Sequence, residues 1–251
     1  MGNLDRRADR DVLNERYLEE YRQAFSTLRD DLVYLHSNLR LLSQLRQFPA
    51  RLFQAPRALF SFLTKNLTTE CVQICCRVWK DKSSQALTLN RLADSLLAEA
   101  IRPRYRDELM ARLLSARVPD SVESTISRLR SIRNASIAHL DHQVIRAIKS
   151  RPDRVSFDEL MAAAKALGVY LNALTFGSRY EFVIAEFCSQ EDPWFKGDLG
   201  YVLDRIALGS RWLSEPDEHR AFWRVFRRKL DTRQLHEIND VRIRHGMPPL
   251  D

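Results

Sequence analysis

The sequence predicts an all-α fold, a helical bundle with a long N-terminal helix and a C-terminal helical extension. Only 7 glycines and 9 prolines occur in 251 residues, which leaves little material for the many turns of a β protein. Apolar residues recur instead at spacings of three and four, the period of a helix with one buried face. A chain of this length can bury a substantial core in one large domain, or in one domain plus an extension.

The first predicted helix, from about Asp9 to Arg46, is long. Its apolar stripe consists of Tyr21, Phe25, Leu28, Leu32, Leu35, Leu39 and Leu42. At 1.5 Å per residue the helix would measure roughly 55 Å. Because that exceeds what a compact bundle needs, we expect part of the stripe to pack on a second chain or on the C-terminal extension.

Three further helices are predicted up to residue 116. The second in the chain runs from about Arg57 to Trp79 and is apolar enough to be the central core element. Two shorter ones lie near 87–101 and 104–116, and prolines 103 and 119 interrupt the pattern after each of them. Asp120 is the predicted N-cap of the next helix.

The second half of the chain begins with a clear helix start. Ser156 and Glu159 have the spacing of a capping box, which predicts a helix through Leu174 that Gly177 interrupts. More helices are predicted near 180–187, 199–213 and 218–244. Pro193, Gly197 and Gly200 mark a boundary after the first of these helices. The predicted domains are therefore a helical domain at 1–192 and a C-terminal helical extension at 193–251.

The cysteines indicate a reducing compartment. Cys71, Cys75 and Cys76 share one apolar segment, and the fourth is Cys188. No histidine lies near enough to them to suggest a zinc site, so we interpret them as reduced core residues. The N-terminus is charged, and no later stretch is long and uncharged enough to span a bilayer. We expect a cytoplasmic protein with no membrane partner.

The positive charge is concentrated in one region. Net charge is 40 minus 33, or +7, and the segment Ile101–Arg154 holds 12 Lys and Arg against 6 Asp and Glu, an excess of +6. A polyanionic partner explains that placement, whereas a basic solvated surface is the alternative.

A short motif lies inside this basic region. The run from Arg133 to Asp141 reads Arg-Asn-Ala-Ser-Ile-Ala-His-Leu-Asp, which places Arg133, Asn134 and His139 within seven residues. Arginine is always charged and binds phosphate oxygens with two parallel hydrogen bonds, and histidine exchanges protons near neutral pH. These residue types can hold and cut a phosphodiester. The alternative is an ordinary interhelical polar network.

The motif resembles the Arg-Asn-(four residues)-His signature of the HEPN superfamily, and its sequence is most similar to that of the abortive-infection type U branch. The resemblance covers roughly the first 190 residues and implies a HEPN-like helical bundle. Many members are metal-independent ribonucleases of defence and toxin systems. The toxin branch that pairs with nucleotidyltransferase antitoxins carries tyrosine two residues after the histidine. Asp141 stands there in this chain, so regulation by modifying that tyrosine is not available.

The geometry of a helix bears on assembly. Arg133 and His139 are six residues apart, so on one regular helix they would project about 120° apart. Either the helix breaks between them or a second copy of the chain completes the site. The resemblance to HEPN proteins implies the second arrangement. A symmetric homodimer would bring two copies of each residue to one cleft.

The resemblance and ribonuclease chemistry together give each residue a predicted role. His139 acts as general base or acid, Arg133 stabilises the charge on the phosphorane, and Asn134 orients the phosphate or the histidine. Asp141 and His142 are candidates to support these residues without touching the phosphate. Asp141 could fix the tautomer of a histidine, and a solvated acid beside a helix explains it equally well. The predicted RNA-binding residues are Arg128, Arg130 and Arg146. No metal or cofactor is expected, and the sequence has no Gly-rich phosphate loop.

Two functions remain open at this point. The first is a homodimeric endoribonuclease of an abortive-infection or toxin–antitoxin type, which leaves a 2′,3′-cyclic phosphate and is controlled by a neutralising antitoxin or regulator. The second is an inactive HEPN relative that serves as an RNA-binding or protein-interaction module. A DNA-binding regulator would rest only on basic charge and helices, and no helix-turn-helix signature supports it.

Overall fold

The structure is a computed structural model, and it describes residues 4, 7–47, 57–80, 86–134, 155–177, 231–244 and 246–250. The all-α prediction is confirmed. In those ranges the chain forms helices and the turns between them, with no strand, and Leu13 and Ile101 pair there in an isolated antiparallel bridge. None of the described helices is both long and apolar enough to cross a membrane.

The chain divides into two compact units. The first comprises Met1–Leu39 and Leu67–Ile184, and the second comprises Arg40–Asn66 and Ala185–Asp251. All the predicted site residues fall within the range of the first unit. The predicted domain boundary between residues 192 and 193 lies outside the described residues.

The N-terminal region contains two helices where the sequence predicts one. Helix α1 spans Asp9–Val12 and helix α2 spans Glu15–Gln47. Between them Leu13 is extended and buried, and Asn14 donates its backbone N–H to the carbonyl of Ala100 at 2.8 Å. The break therefore comes from pairing with a segment far along the chain, which the local apolar period does not reveal.

The apolar stripe of α2 forms much of the core. All seven of its predicted members are buried, from Tyr21 at 6% exposure to Leu42 at 4%. The hydroxyl of Tyr21 also donates to the carbonyl of Leu174 at 2.9 Å, which satisfies the one polar atom on the stripe. Since this chain alone buries the whole stripe, none of these residues requires a second chain to cover it.

Helix α3 spans Arg57–Trp79, as predicted. Cys71, Cys75 and Cys76 are buried free thiols, and burial raises the pKa of the Cys71 thiol to about 12. These three are therefore core residues, as the sequence indicates, whereas Cys188 lies outside the described residues. The helix ends where Trp79 packs edge-on against a tyrosine of a later helix, with ring centroids 5.0 Å apart.

The next two helices follow the prediction with changed ends. Helix α4 spans Leu89–Ser95, starts at the N-cap Thr88, and continues as a π-helical turn over Leu96–Ala100. A 3-10 turn, Pro103–Tyr105, then leads into helix α5, Arg106–Ser115. Proline fits at the start of such a turn because its missing N–H is not needed there.

Helix α6 spans Asp120–Ile132. The prediction that Asp120 is its N-cap is wrong by one residue, since Pro119 occupies that position. The carboxylate of Asp120 instead accepts a hydrogen bond from the Arg117 guanidinium at 2.7 Å. Its negative charge still lies in the first turn, where the helix dipole favours it.

Helix α7 spans Phe157–Ala173 and has the predicted capping box. Glu159 N–H donates to Ser156 Oγ at 3.2 Å, and the Glu159 carboxylate accepts from Ser156 N–H at 2.8 Å. Gly177 follows with φ +88°, a conformation that glycine adopts without strain. Tyr170, the partner of Trp79, lies on this helix.

The last described helix, α8, spans Thr232–Arg244. It corresponds to the end of the helix predicted near 218–244. The rest of that helix and those predicted near 180–187 and 199–213 lie outside the described residues. On this helix Arg242 is buried at 1% exposure, and its Nε donates to the carbonyl of Pro248 at 2.7 Å.

Candidate active site

Helix α6 carries the first half of the predicted motif at its C-terminal end. Val122, Ile126 and Leu129 are buried along one side of the helix, and α6 packs against α7. The opposite side is exposed and mostly serine, at positions 121, 124, 127 and 131. Burial of one face fixes the rotation of α6, and therefore the direction in which Arg133 and Asn134 leave its end.

Arg133 and Asn134 continue the helix with a change of pitch. Arg133 keeps right-handed helical dihedrals, φ −54° and ψ −49°, and both residues have the hydrogen-bonding pattern of a π-helix. Such wider turns occur often at functional sites. Arg133 is half-buried and Asn134 is exposed, so the pair lies at the surface of the first unit.

The two motif side chains are in direct contact. Arg133 Nε donates a hydrogen bond to Asn134 Oδ1 at 3.2 Å. The bond holds the guanidinium beside the amide. A phosphate placed here would meet a cation with an amide beside it, which suits binding to a charged phosphodiester.

Arg128, one of the predicted RNA-binding residues, is paired inside the protein. Its Nη2 donates to the Glu159 carboxylate at the start of α7. The side chains are 28% and 36% exposed. Hydrogen bonds from the Ser156 backbone and from Arg128 lower the pKa of Glu159, so the carboxylate is held in its charged form.

Arg130, the second predicted RNA-binding residue, is also held by its own chain. Its Nη2 donates to the backbone carbonyl of Lys80, just after the end of α3. Its Nε is buried and has no hydrogen-bond acceptor within the part of the chain that is described. Arg128 thus joins α6 to α7, and Arg130 joins α6 to the residue after α3. These two contacts hold the C-terminal half of α6 in place.

The remaining predicted residues cannot be placed. His139, Asp141, His142 and Arg146 lie outside the described residues. Arg128, Arg130, Arg133 and Asn134 thus lie in or directly after the second half of α6, and the observed contact among them joins Arg133 to Asn134. Whether His139 joins them stays a prediction.

Sequence analysis missed the second contact of Glu159. The spacing from Ser156 identified its capping role, because that role depends on residues three apart. Its pairing with Arg128 joins residues 31 apart in sequence, and no local pattern predicts such a contact. Charge complementarity between the end of α6 and the start of α7 was the only available signal.

One buried histidine was not predicted from the sequence. His36 on α2 is 7% exposed. Burial lowers its pKa to about 4, although contact with the backbone of Ala164 on α7 favours the protonated form. His36 is therefore uncharged at neutral pH. Its place beside the stripe residue Leu35 was the signal that it lies in the core.

Comparison with known proteins identifies a family. The family model HEPN_AbiU2, described as AbiU2, matches residues 9–179, more than half of the chain. The matched range includes every residue of the predicted site. No curated protein and no solved structure is similar enough to the chain to count as a match.

Proposed function

The chain belongs to the HEPN_AbiU2 family, the abortive-infection U2 family of the HEPN superfamily, and from that premise we propose that it is a metal-independent endoribonuclease. In this proposal Arg133 and His139 cut RNA at the cleft of a homodimer and leave a 2′,3′-cyclic phosphate. One observation carries the proposal: the family's Arg-Asn pair lies at the surface, with the arginine hydrogen-bonded to the asparagine.

Each motif residue has a distinct part in the proposed reaction. His139 removes the proton from the ribose 2′-OH, or supplies one to the 5′ leaving oxygen, and water carries out the other proton transfer. The 2′ oxygen attacks the adjacent phosphorus, the bond to the 5′ oxygen breaks, and the cyclic phosphate remains on the upstream fragment. Arg133 stabilises the charge that grows on the equatorial oxygens. Asn134 keeps Arg133 oriented and contacts the phosphate.

Assembly follows from the direction of the side chains. On a regular helix Arg133 and His139 would project about 120° apart, so one helix does not aim both at a single phosphate. A symmetric dimer in which the two α6 ends meet would supply the missing group from the partner. The stripe of α2 is buried within this chain and so does not support a dimer, whereas the motif and the family do.

The proposal includes a cellular setting. An RNA-cutting toxin must be restrained until it is needed, so we propose a neutralising antitoxin or regulator as a partner, and the cytoplasm as the compartment where RNA is met. The excess of +6 over Ile101–Arg154 supports RNA as the polyanion. Arg146 and the anchored Arg128 and Arg130 would contribute to its binding.

A second function is favoured by one observation. Arg128 and Arg130 both bind groups of their own chain, as the members of a structural polar network do. An inactive HEPN relative that binds RNA or another protein would keep such a network without cutting anything.

A cleavage assay in EDTA separates the two functions. Purified protein is incubated with 5′-labelled RNA in excess chelator, and the ends of the products are analysed. The proposal expects discrete fragments that carry a 2′,3′-cyclic phosphate. Intact RNA that remains bound to the protein would favour the inactive module.

A further inference from the structure

Glu159 joins two helix ends that are far apart in sequence. Its carboxylate accepts from Arg128 Nη2 near the end of α6, and also from the backbone N–H of Ser156 at 2.8 Å. Its own backbone N–H donates to Ser156 Oγ at 3.2 Å. One side chain thus completes the N-terminus of α7 and fastens it to α6.

The contact bears on the motif because of where Arg128 lies. Arg128 is on α6, five residues before Arg133. A contact that holds Arg128 against the start of α7 therefore also sets the separation between α7 and the end of α6 that carries Arg133 and Asn134.

The contact between Glu159 and Arg128 is suited to fixing that separation. Both side chains are partly buried, at 36% and 28% exposure, so water screens the pair less than it would on an open surface. The carboxylate cannot rotate away to follow Arg128 without giving up its bond to Ser156 N–H. A group held from two sides in this way restricts motion between the elements that it joins.

We propose that Glu159 is a positioning residue for RNA cleavage, which acts through Arg128 to hold the α6 end bearing Arg133 and Asn134 at a fixed separation from α7. The inference rests on the proposed function. In this role Glu159 does not contact the RNA. Through Arg128 it sets the distance between the end of α6 that carries Arg133 and the start of α7. Catalysis is sensitive to such distances, since a misplacement of about 1 Å can reduce a rate by about 10²-fold.

Three substitutions separate positioning from stability. Glu159→Gln keeps an oxygen for Ser156 N–H, since glutamine also serves in a capping box, but it removes the charge that pairs with Arg128. Ser156→Ala does the reverse, because it removes a cap and leaves the pair intact. Asp9→Asn is the matched control: Asp9 pairs with Arg22 between α1 and α2, and that arginine lowers the pKa of the Asp9 carboxyl.

The control lies at the far end of α7 from the site. Tyr21, the neighbour of Arg22, bonds to Leu174, and Leu174 is 15 residues beyond Glu159, or about 22 Å along the helix. Asp9→Asn therefore has the same chemistry as Glu159→Gln, a lost charge at an interhelical ion pair, and we expect it to leave the end of α6 unchanged.

The readouts are the single-turnover cleavage rate at saturating RNA, the Kd for a 2′-O-methyl RNA that cannot be cut, and the melting temperature. We expect Glu159→Gln to cut about tenfold or more slowly, with Kd changed by less than about threefold. Ser156→Ala should melt at a lower temperature than Glu159→Gln and still cut at the wild-type rate. Asp9→Asn should also cut normally. A merely structural role would make the rate follow the melting temperature.

A double substitution tests whether Glu159 acts through Arg128. In an Arg128→Gln background, Glu159→Gln should cause no further loss of rate, because the contact is already gone. A wild-type rate for Glu159→Gln, or losses that simply add in the double variant, would overturn the inference.

His139→Ala distinguishes this failure from failure of the proposed function. If the wild type does not cut RNA, or cuts no faster than His139→Ala, the proposed function fails and the role of Glu159 falls with it. If His139→Ala is inactive while Glu159→Gln cuts like the wild type, only the role of Glu159 is refuted.

Discussion

Arg133 Nε donates to Asn134 Oδ1 at 3.2 Å, at the point where α6 passes into a π-helical turn. The two residues are adjacent in sequence, yet on a helix neighbouring side chains normally diverge by about 100°. Their contact holds a permanent cation and an amide together at the surface. In the proposed reaction this pair receives the phosphate.

Asn134→Ala should separate the orientation of Arg133 from its charge. Because Asn134 is exposed, losing the bond should change stability by less than about 1 kcal/mol. The charge on Arg133 remains, so RNA affinity should hardly change. Cleavage should slow by about 10- to 100-fold, because the guanidinium is no longer held toward the developing charge. Thermal melting, RNA titration and single-turnover rates check these three expectations, and an unchanged rate would remove Asn134 from the site.

RNA affinity should fall steeply as salt is added. If the region from Ile101 to Arg154, with its excess of +6, is the proposed RNA surface, it contacts several phosphates, each of which releases condensed counterions on binding. For a single-stranded RNA each contact contributes about −0.7 to the slope of log K against log salt. Fluorescence anisotropy from low to moderate salt measures that slope. A nearly flat response would mean that this region is a solvated surface.

Stability should decrease as pH falls from 6.5 to 4. Burial lowers the pKa of His36 to about 4. Between pH 6.5 and 4 this histidine therefore binds a proton in the unfolded chain and not in the folded chain. The stabilisation is complete above pH 6.5 and is lost as the pH approaches 4. The shift corresponds to about 3 kcal/mol. Urea unfolding at a series of pH values gives the dependence.

A histidine substitution assigns this pH effect. His36→Gln should flatten the slope between pH 6.5 and 4, whatever its effect on stability at pH 7. His236→Gln is the matched control, since His236 lies on α8 with its side chain 78% exposed. Equal slopes in the wild type and in His36→Gln would show that His36 is not the group responsible.

The shared-cleft proposal predicts complementation between two inactive variants. If Arg133 of one chain works with His139 of the other, a mixed dimer of Arg133→Ala and His139→Ala contains one intact pair. After the two variants are unfolded and refolded together in equal amounts, half of the dimers should be mixed. Activity should then return to about a quarter of the wild-type value. No recovery, with mixed dimers verified by mass spectrometry, would place Arg133 and His139 of a single chain at each site.

The sequence predicted best what depends on neighbouring residues. The capping box of Ser156 and Glu159 and the stripe of α2 follow from spacings of three and four, and the structure contains both. The break at Leu13 was not predictable, since it depends on pairing with Ile101. Asp120 was misplaced as an N-cap because the proline before it, with its fixed φ, takes that position.

The site follows the same division. The motif itself could be read from the sequence because its residues lie within seven positions. The anchoring of Arg130 on the Lys80 carbonyl and of Arg128 on Glu159 joins residues 50 and 31 apart, and only the packing of helices brings them together. The positions of His139, Asp141, His142 and Arg146 remain predictions.

The most direct test of the account is a paired measurement on the wild type, His139→Ala and Arg133→Ala. Cleavage rate in EDTA and melting temperature are recorded for all three, together with the affinity for an uncleavable RNA. His139→Ala should keep its melting temperature and most of its RNA affinity and lose about 10²–10⁴ in rate, the contribution of a well-placed acid or base. Arg133→Ala should lose cleavage and also bind RNA more weakly, since its partner is charged throughout the reaction. If His139→Ala instead melts well below the wild type and still cuts RNA at the wild-type rate, His139 is a core histidine and the ribonuclease proposal is wrong.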